Sequence, residues 1–227
     1  GDEGKGKVMN WLLRTHRDQA NIYKYDYCVR FNGGPNAGHT IYIDNRKLVL
    51  HQIPCGILRR KPCLISTGCV VDLSKLNKEV EALIKLGINV SKYLYVAYNA
   101  HIITDECIDM DKRKDKVGTT LSGIGPTYSA KVLRTGRRIE SLDNPKYFKI
   151  IKPRQFLSTF NKIFMEGAQG YNLDIDNGYY PFVTSSNCVT GNIFLNGISS
   201  KVVPNVYGVA ELNNCGECIL EGDNTTC

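Results

Sequence analysis

Short β-rich runs that end directly in glycine-rich turns recur along the chain, and that pairing restricts the fold more than any other feature. Tyr27 to Phe31 (YCVRF) runs into Asn32-Gly33-Gly34, Cys63 to Ser66 (CLIS) into Thr67-Gly68, and Lys162 to Glu166 (KIFME) into Gly167-Ala168-Gln169-Gly170. Further strand candidates are KLVLHQI over 47–53, YLYVAY over 93–98 and VVPNVYGVA over 202–210. The clearest helix follows Asp72: Leu76, Val80, Leu83, Ile84 and Leu86 fall largely on one face, Asp72 or Ser74 can cap it, and Gly87 can stop it. Strand, helix, strand with glycine turns at the strand ends is the α/β pattern, and in open α/β sheets the ligand crevice lies at the carboxyl ends of the strands. The expectation is an α/β fold with a large, mostly parallel twisted sheet flanked by helices.

A chain of 227 residues, 42% hydrophobic and 22% charged, suffices for one sizeable core or two small ones. No repeat, low-complexity tract or linker divides it, so a single domain over 1–227 is expected. No run approaches the roughly 18 apolar residues of a membrane helix. No basic-then-apolar leader is present, and the nine scattered cysteines, an odd count, look like buried free thiols. The expected setting is therefore reducing and cytoplasmic, with no membrane partner. Cys215-Gly-Glu-Cys218 has no second such pair and no neighbouring histidine, so it is not read as a metal site. The net charge of +7 suits either a nucleic acid or an anionic small substrate. No stripe of interleaved aromatic and basic residues accompanies the charge, so a nucleic-acid partner is not expected.

The chain opens on Gly1-Asp2-Glu3-Gly4-Lys5-Gly6-Lys7-Val8. This satisfies the G-x-x-x-x-G-K part of a phosphate-binding loop, but Val8 stands where a hydroxyl for magnesium belongs, and two carboxylates lie inside the loop. Backbone amides there can wrap anionic oxygens, with Lys5 and Lys7 to neutralise charge. Asp2 among phosphate-cradling amides is electrostatically costly unless a cation or a substrate proton balances it. A second glycine-rich stretch, RFNGGPNAGHT over 30–40, presents Asn36, Gly38 and His39. One carboxylate and one imidazole on neighbouring loops make an acid/base pair. A third, over 117–138, combines Thr119-Thr120, a Gly-Ile-Gly-Pro turn, and Lys131 with Arg134, groups that together hold a phosphate monoester. A fourth, MEGAQGYNLDIDNGYYPFVTSSN over 165–187, offers Gln169, whose amide can both donate to and accept from a purine's lactam edge.

Taken in order, GDEGKGK, RFNGGPNAGHT, GTT followed by GIGP-x-Y, EGAQG with LDID and YPFVTSSN, and ELNNCGECI resemble the motifs of the adenylosuccinate synthetase family over most of the chain. The resemblance implies a P-loop-like GTP-binding fold that ligates inosine monophosphate (IMP) and L-aspartate through a 6-phosphoryl intermediate. In that reading Asp2 takes the purine proton and binds Mg2+, His39 is the acid beside the transferring phosphoryl group, and the Gly38 carbonyl is a second metal ligand. GTP would be held by Gly1, Glu3, Gly4, Lys5, Gly6, Lys7, Gly38 and Thr40, and IMP by Asn36, Thr120, Gln169 and Thr184. Arg134 would reach the 5′-phosphate from a neighbouring subunit, so a homodimer is implied.

The chain departs from the family in places. The strand expected before GDEGKGK is absent, the segment between Arg138 and EGAQG is short, and Ala210 runs straight into Glu211. The guanine- and aspartate-binding parts are not in the sequence, so the domain is expected to be incomplete. Leu121-Ser122 replaces the usual Gly-Arg. The alternatives are a catalytically inactive nucleotide-binding relic and a relative that uses dGMP in place of IMP; Asp2 favours IMP.

Overall fold

The computed structural model describes residues 4–15, 25–43, 46–114, 118–158, 162–198, 205–209, 211–212 and 218–219. In chain order the elements are α1 (Lys5–Thr15), β1 (Tyr27–Arg30), β2 (His39–Ile43), β3 (Arg46–Leu50), β4 (Cys63–Ile65), β5 (Val70–Val71) and α2 (Leu73–Lys85). There follow α3 (Val90–Tyr93), β6 (Leu94–Ala97), β7 (His101–Ile102), α4 (Asp105–Lys114) and α5 (Ile124–Leu133). The last are β8 (Lys149–Ile151), α6 (Pro153–Leu157), β9 (Ile163–Glu166), β10 (Glu211–Leu212) and β11 (Cys218–Ile219).

Five strands form the central sheet in the order β8-β6-β4-β1-β9, and every pairing in it is parallel. All residues of β1 and β4 are buried, as expected for strands covered on both faces. The chain steps outward from β1 through β4 and β6 to β8, then returns to place β9 on the other flank of β1. That reversal makes a topological switch point at the carboxyl ends of β1 and β9, the place where open α/β sheets bind their ligands. The expected α/β class and parallel sheet are both found.

Most strand candidates occur within a residue or two of the expected bounds. The exceptions are KLVLHQI, whose strand ends three residues early at Leu50, and VVPNVYGVA, of which residues 205–209 are not in a strand while 202–204 and 210 lie outside the described residues. In α2 the Asp72 side chain accepts from Lys75 N at 2.9 Å and caps the helix, and Gly87 just beyond it has φ +76°. The buried stripe is Leu76, Glu79, Val80 and Leu83, whereas Ile84 and Leu86 are exposed. Glu79 takes an interior place because its carboxylate accepts the backbone amides of Gln52 (2.9 Å) and Ile53 (3.2 Å). Cys28, Cys55, Cys63 and Cys69 are buried free thiols, as the scattered spacing suggested; Cys215 and Cys227 lie outside the described residues.

Candidate active site

The crevice is built on a register match. Arg30 and Glu166 are partners on the last rung of the β1–β9 pairing. Their side chains meet at 2.8 Å, each only 2% exposed. A parallel ladder fixes which residues stand side by side, so two strands 136 residues apart in sequence deliver opposite charges to one point. The turns that follow are clamped together by Asn32, whose side chain donates to the carbonyls of Ala168 and Asn187 (3.1 Å each) and accepts from Ala168 N (2.8 Å). Gly33 has φ +78°, and a Cβ there would lie 2.6 Å from the Ala168 Cβ, so only glycine fits this contact.

His39, at the start of β2, is 3% exposed and turns its ring onto the same charged pair. Its Nδ1 lies 2.5 Å from Glu166 Oε1. The Arg30 guanidinium approaches both ring nitrogens, Nη1 to Nε2 at 3.3 Å and Nη2 to Nδ1 at 3.4 Å. Arg30 thus contacts both nitrogens of the ring as well as the Glu166 carboxylate. Burial, followed by the charge of Arg30, pulls the His39 pKa below its ordinary value against the opposing pull of Glu166. The ring is therefore neutral at pH 7. For Glu166, burial alone would raise the pKa, but Arg30 and His39 outweigh it and hold the carboxyl at about 2.

Cys55 completes the pocket. Its backbone N–H donates to Glu166 Oε2 at 2.8 Å and its Sγ lies 3.6 Å from Oε1. His39, Cys55 and Glu166 lie within 4.8 Å of one another, a spacing that a cation can bridge. A cation there is disfavoured, because Arg30 already neutralises the carboxylate and burial holds the Cys55 thiol well above its ordinary pKa, hence protonated.

The first turn of α1 approaches the pocket from the other side. Gly6 sits so close that a Cβ there would lie 3.0 Å from the His39 Cβ, and Lys5 adds positive charge beside the ring. Val8 N donates to Gly4 O at 3.0 Å, so the helix begins directly after Gly4. Its first-turn amides, with Lys5, form an anion-seeking end next to His39, while Lys7 Nζ lies 5.8 Å from the Tyr42 ring centroid. Of the residues expected to hold GTP, Gly4, Lys5, Gly6, Lys7, Gly38 and Thr40 are brought to this region. Gly1, Asp2 and Glu3 lie outside the described residues.

The residues expected at a purine are partly assembled. Asn36 Oδ1 and Gln169 Oε1 are both buried with no hydrogen-bond partner, and Gln169 adopts φ +60° beside Gly33. Thr184 is half-buried and its N–H donates to Leu173 O at 2.8 Å. The N-terminal end of α5 reaches the same place, with Ile124 against Gly34 and Gly125 beside Ser185. Thr120 is exposed just before that helix, and Arg134 is exposed at its other end, about 15 Å away for ten residues of helix. The structure therefore does not bring Arg134 to the crevice within one chain. Ser122 accepts from Lys75 Nζ at 3.0 Å, so α2 supplies a cation at this point.

Sequence reasoning gave no role to Arg30, Glu166 or Cys55. The available signal was position: Arg30 and Glu166 end the two strands that run into NGG and GAQG turns.

The family model described as adenylosuccinate synthetase matches residues 1–154 and 152–213. Among curated relatives, the adenylosuccinate synthetase of Thermodesulfovibrio yellowstonii is 34% identical over 262 residues, covering 93% of this chain and 60% of its own length. That of Cytophaga hutchinsonii is 36% identical over 263 residues, covering 92% of this chain and 59% of its own length. These matched stretches exceed the 227 residues of the chain, so the relatives carry internal segments that it lacks. The family match also divides at 152–154, inside the short stretch before EGAQG. The fully ligated adenylosuccinate synthetase of Plasmodium falciparum superposes with a TM-score of 0.76 at 32% identity, over 88% of this chain and 57% of that one. Cyanophage S-2L succinoaminodeoxyadenylate synthetase, solved with dGMP and dATP, gives 0.72 at 25% identity, over 86% and 56%. The chain thus spans about 60% of the length of the curated relatives it matches. With motifs, sheet order and crevice in agreement with these matches, the chain belongs to the adenylosuccinate synthetase family.

Proposed function

We propose that the protein to which this chain contributes ligates IMP and L-aspartate to adenylosuccinate, converting GTP to GDP and phosphate. The observation that carries this reading is the convergence of the α1 N-terminus, with Lys5, on His39 at the sheet's switch point. Phosphoryl transfer depends mainly on positioning and charge neutralisation, and these elements supply both. Gly4, Lys5, Gly6 and Lys7, with Gly1, Glu3, Gly38 and Thr40, cradle the GTP phosphates. Asn36 and Gln169 offer unpartnered buried oxygens to the purine, with Thr120 and Thr184 alongside.

Asp2 takes the proton from the purine ring nitrogen, so that the 6-oxygen attacks the γ-phosphate. His39 acts as the acid beside the phosphoryl group, and the amine of aspartate then displaces phosphate from C6. The main-chain carbonyl at Gly38 is a hard oxygen donor, which fits magnesium better than a softer ion. Asp2 and Gly38 would hold it, and when bound it supplies charge neutralisation at the phosphates. The exposed Arg134 suits a role in a partner's site within a homodimer. The functional unit is one synthetase domain over 1–227, incomplete relative to its relatives and acting in the cytoplasm.

The test is phosphate release at the protein's native length. Release should require GTP, IMP, aspartate and magnesium together, and Asp2→Asn should abolish it. Normal turnover in that variant would overturn the assignment. The dGMP-using neighbour motivates a second reading, in which dGMP replaces IMP. Substituting dGMP for IMP in the same assay distinguishes the two. An inactive relic would be stabilised thermally by IMP yet release no phosphate.

A further inference from the structure

The buried pair at the end of β1 and β9 has no part in the chemistry above, yet it touches the one imidazole that does. We propose that Glu166 is a positioning residue that locks His39 as the Nδ1–H tautomer and leaves Nε2 as the nitrogen through which the ring exchanges a proton, with Arg30 holding the carboxylate in place. The proposal rests on the synthetase reading for what His39 does, but not for how the ring is held.

Glu166 is ionised, and an ionised carboxylate can only accept hydrogen bonds. Its Oε1 lies 2.5 Å from Nδ1, so the hydrogen of that contact belongs to the ring. The same oxygen accepts from Arg30 Nη2 at 2.8 Å, while Oε2 accepts from Cys55 N at 2.8 Å. The carboxylate is thus fixed from three directions, by a strand neighbour, a main-chain amide and the imidazole itself. Among the described residues Nε2 has no hydrogen-bond contact other than Arg30 Nη1 at 3.3 Å, and a guanidinium can only donate, so that contact calls for an unprotonated Nε2. A carboxylate on Nδ1 also supplies the countercharge that an imidazolium needs when Nε2 takes up a proton next to a polyanion. His39 is 3% exposed, so water does not compete for either nitrogen.

The experiment combines ring nitrogen NMR of His39 with steady-state kinetics in wild type, Glu166→Gln and Glu166→Leu. Wild type should show a protonated Nδ1 and an unprotonated Nε2. Glu166→Gln retains an acceptor oxygen and should keep that tautomer. Glu166→Leu should shift His39 towards Nε2–H and lower kcat by about 100-fold, the low end for a general acid–base group, with KM for GTP and IMP changing less than about threefold. If the unpaired Arg30 prevents Glu166→Leu from folding, the double variant Arg30→Met/Glu166→Leu removes both charges and gives the same readouts. A wild-type Nε2–H tautomer, or an unchanged tautomer in the leucine variants, overturns the proposal. Absence of turnover in wild type would defeat the synthetase reading alone, since the tautomer is measured without substrate.

Discussion

The glutamates Glu166 and Glu79 are buried under nearly equal cover, at 2% and 7% exposure, and they behave oppositely. Both accept backbone amides: Cys55 N for Glu166, Gln52 N and Ile53 N for Glu79. Glu166 also faces Arg30 and His39, and its pKa is held down at about 2. For Glu79 burial dominates over the amides, so its pKa is raised. The difference shows that backbone amides alone do not fully offset desolvation, while a guanidinium and an imidazole added to an amide do. Glu79 acts as structural glue, tying the loop after β3 to α2. Glu166 is a permanent charge placed against a titratable ring.

The comparison can be tested by truncation. Glu166→Ala leaves Arg30 buried and uncompensated and should cost about 3–5 kcal/mol in urea unfolding. Glu79→Ala leaves two amides unsatisfied and should cost about 1–3 kcal/mol. Equal costs would mean that Arg30 finds another partner or water, and the distinction would fail. Replacing both Arg30 and Glu166 by apolar residues should be much milder than either single change, which would separate the loss of charge pairing from the loss of packing.

Acidity separates the two carboxylates by sign. Glu166 has a folded pKa below its unfolded value, so its contribution is complete above about 4.5 and is lost as pH falls towards about 2. Glu79 has a folded pKa above its unfolded value, so it favours the native state as pH falls through its raised pKa towards 4.5. His101, depressed by burial to about 4, destabilises the native state as pH drops below 6.5. Unfolding midpoints across pH should therefore show that Glu166→Gln flattens the acid limb below pH 4.5. Glu79→Gln should steepen the loss on going from neutral pH to 4.5. Parallel curves for the two variants would refute the assignment of opposite shifts.

Much of the fold was legible because it is written locally. Glycine turns after β1, β4 and β9, the Asp72 cap and the Gly87 stop each depend on residues a few positions apart. His39 and the GDEGKGK stretch stood out as residue types in a recognisable order. The Arg30–Glu166–His39 cluster was not, because it depends on β9 returning beside β1, and no local pattern specifies which strands become neighbours. Glu79 defeated the helix-face reading for a related reason: its partners, the Gln52 and Ile53 amides, sit in a loop more than 25 residues away. The strand expected across 202–210 rested on β-branched composition alone, and residues 205–209 do not pair with any described strand.

In the proposed reaction the His39 ring stands beside the phosphoryl group in transfer. The most direct test is the rate of GTP-, IMP- and aspartate-dependent phosphate release in His39→Asn, with thermal unfolding as a control for the fold. The prediction is a fall in kcat of about 100-fold or more with the fold retained. Turnover within about twofold of wild type in a folded His39→Asn protein would contradict it.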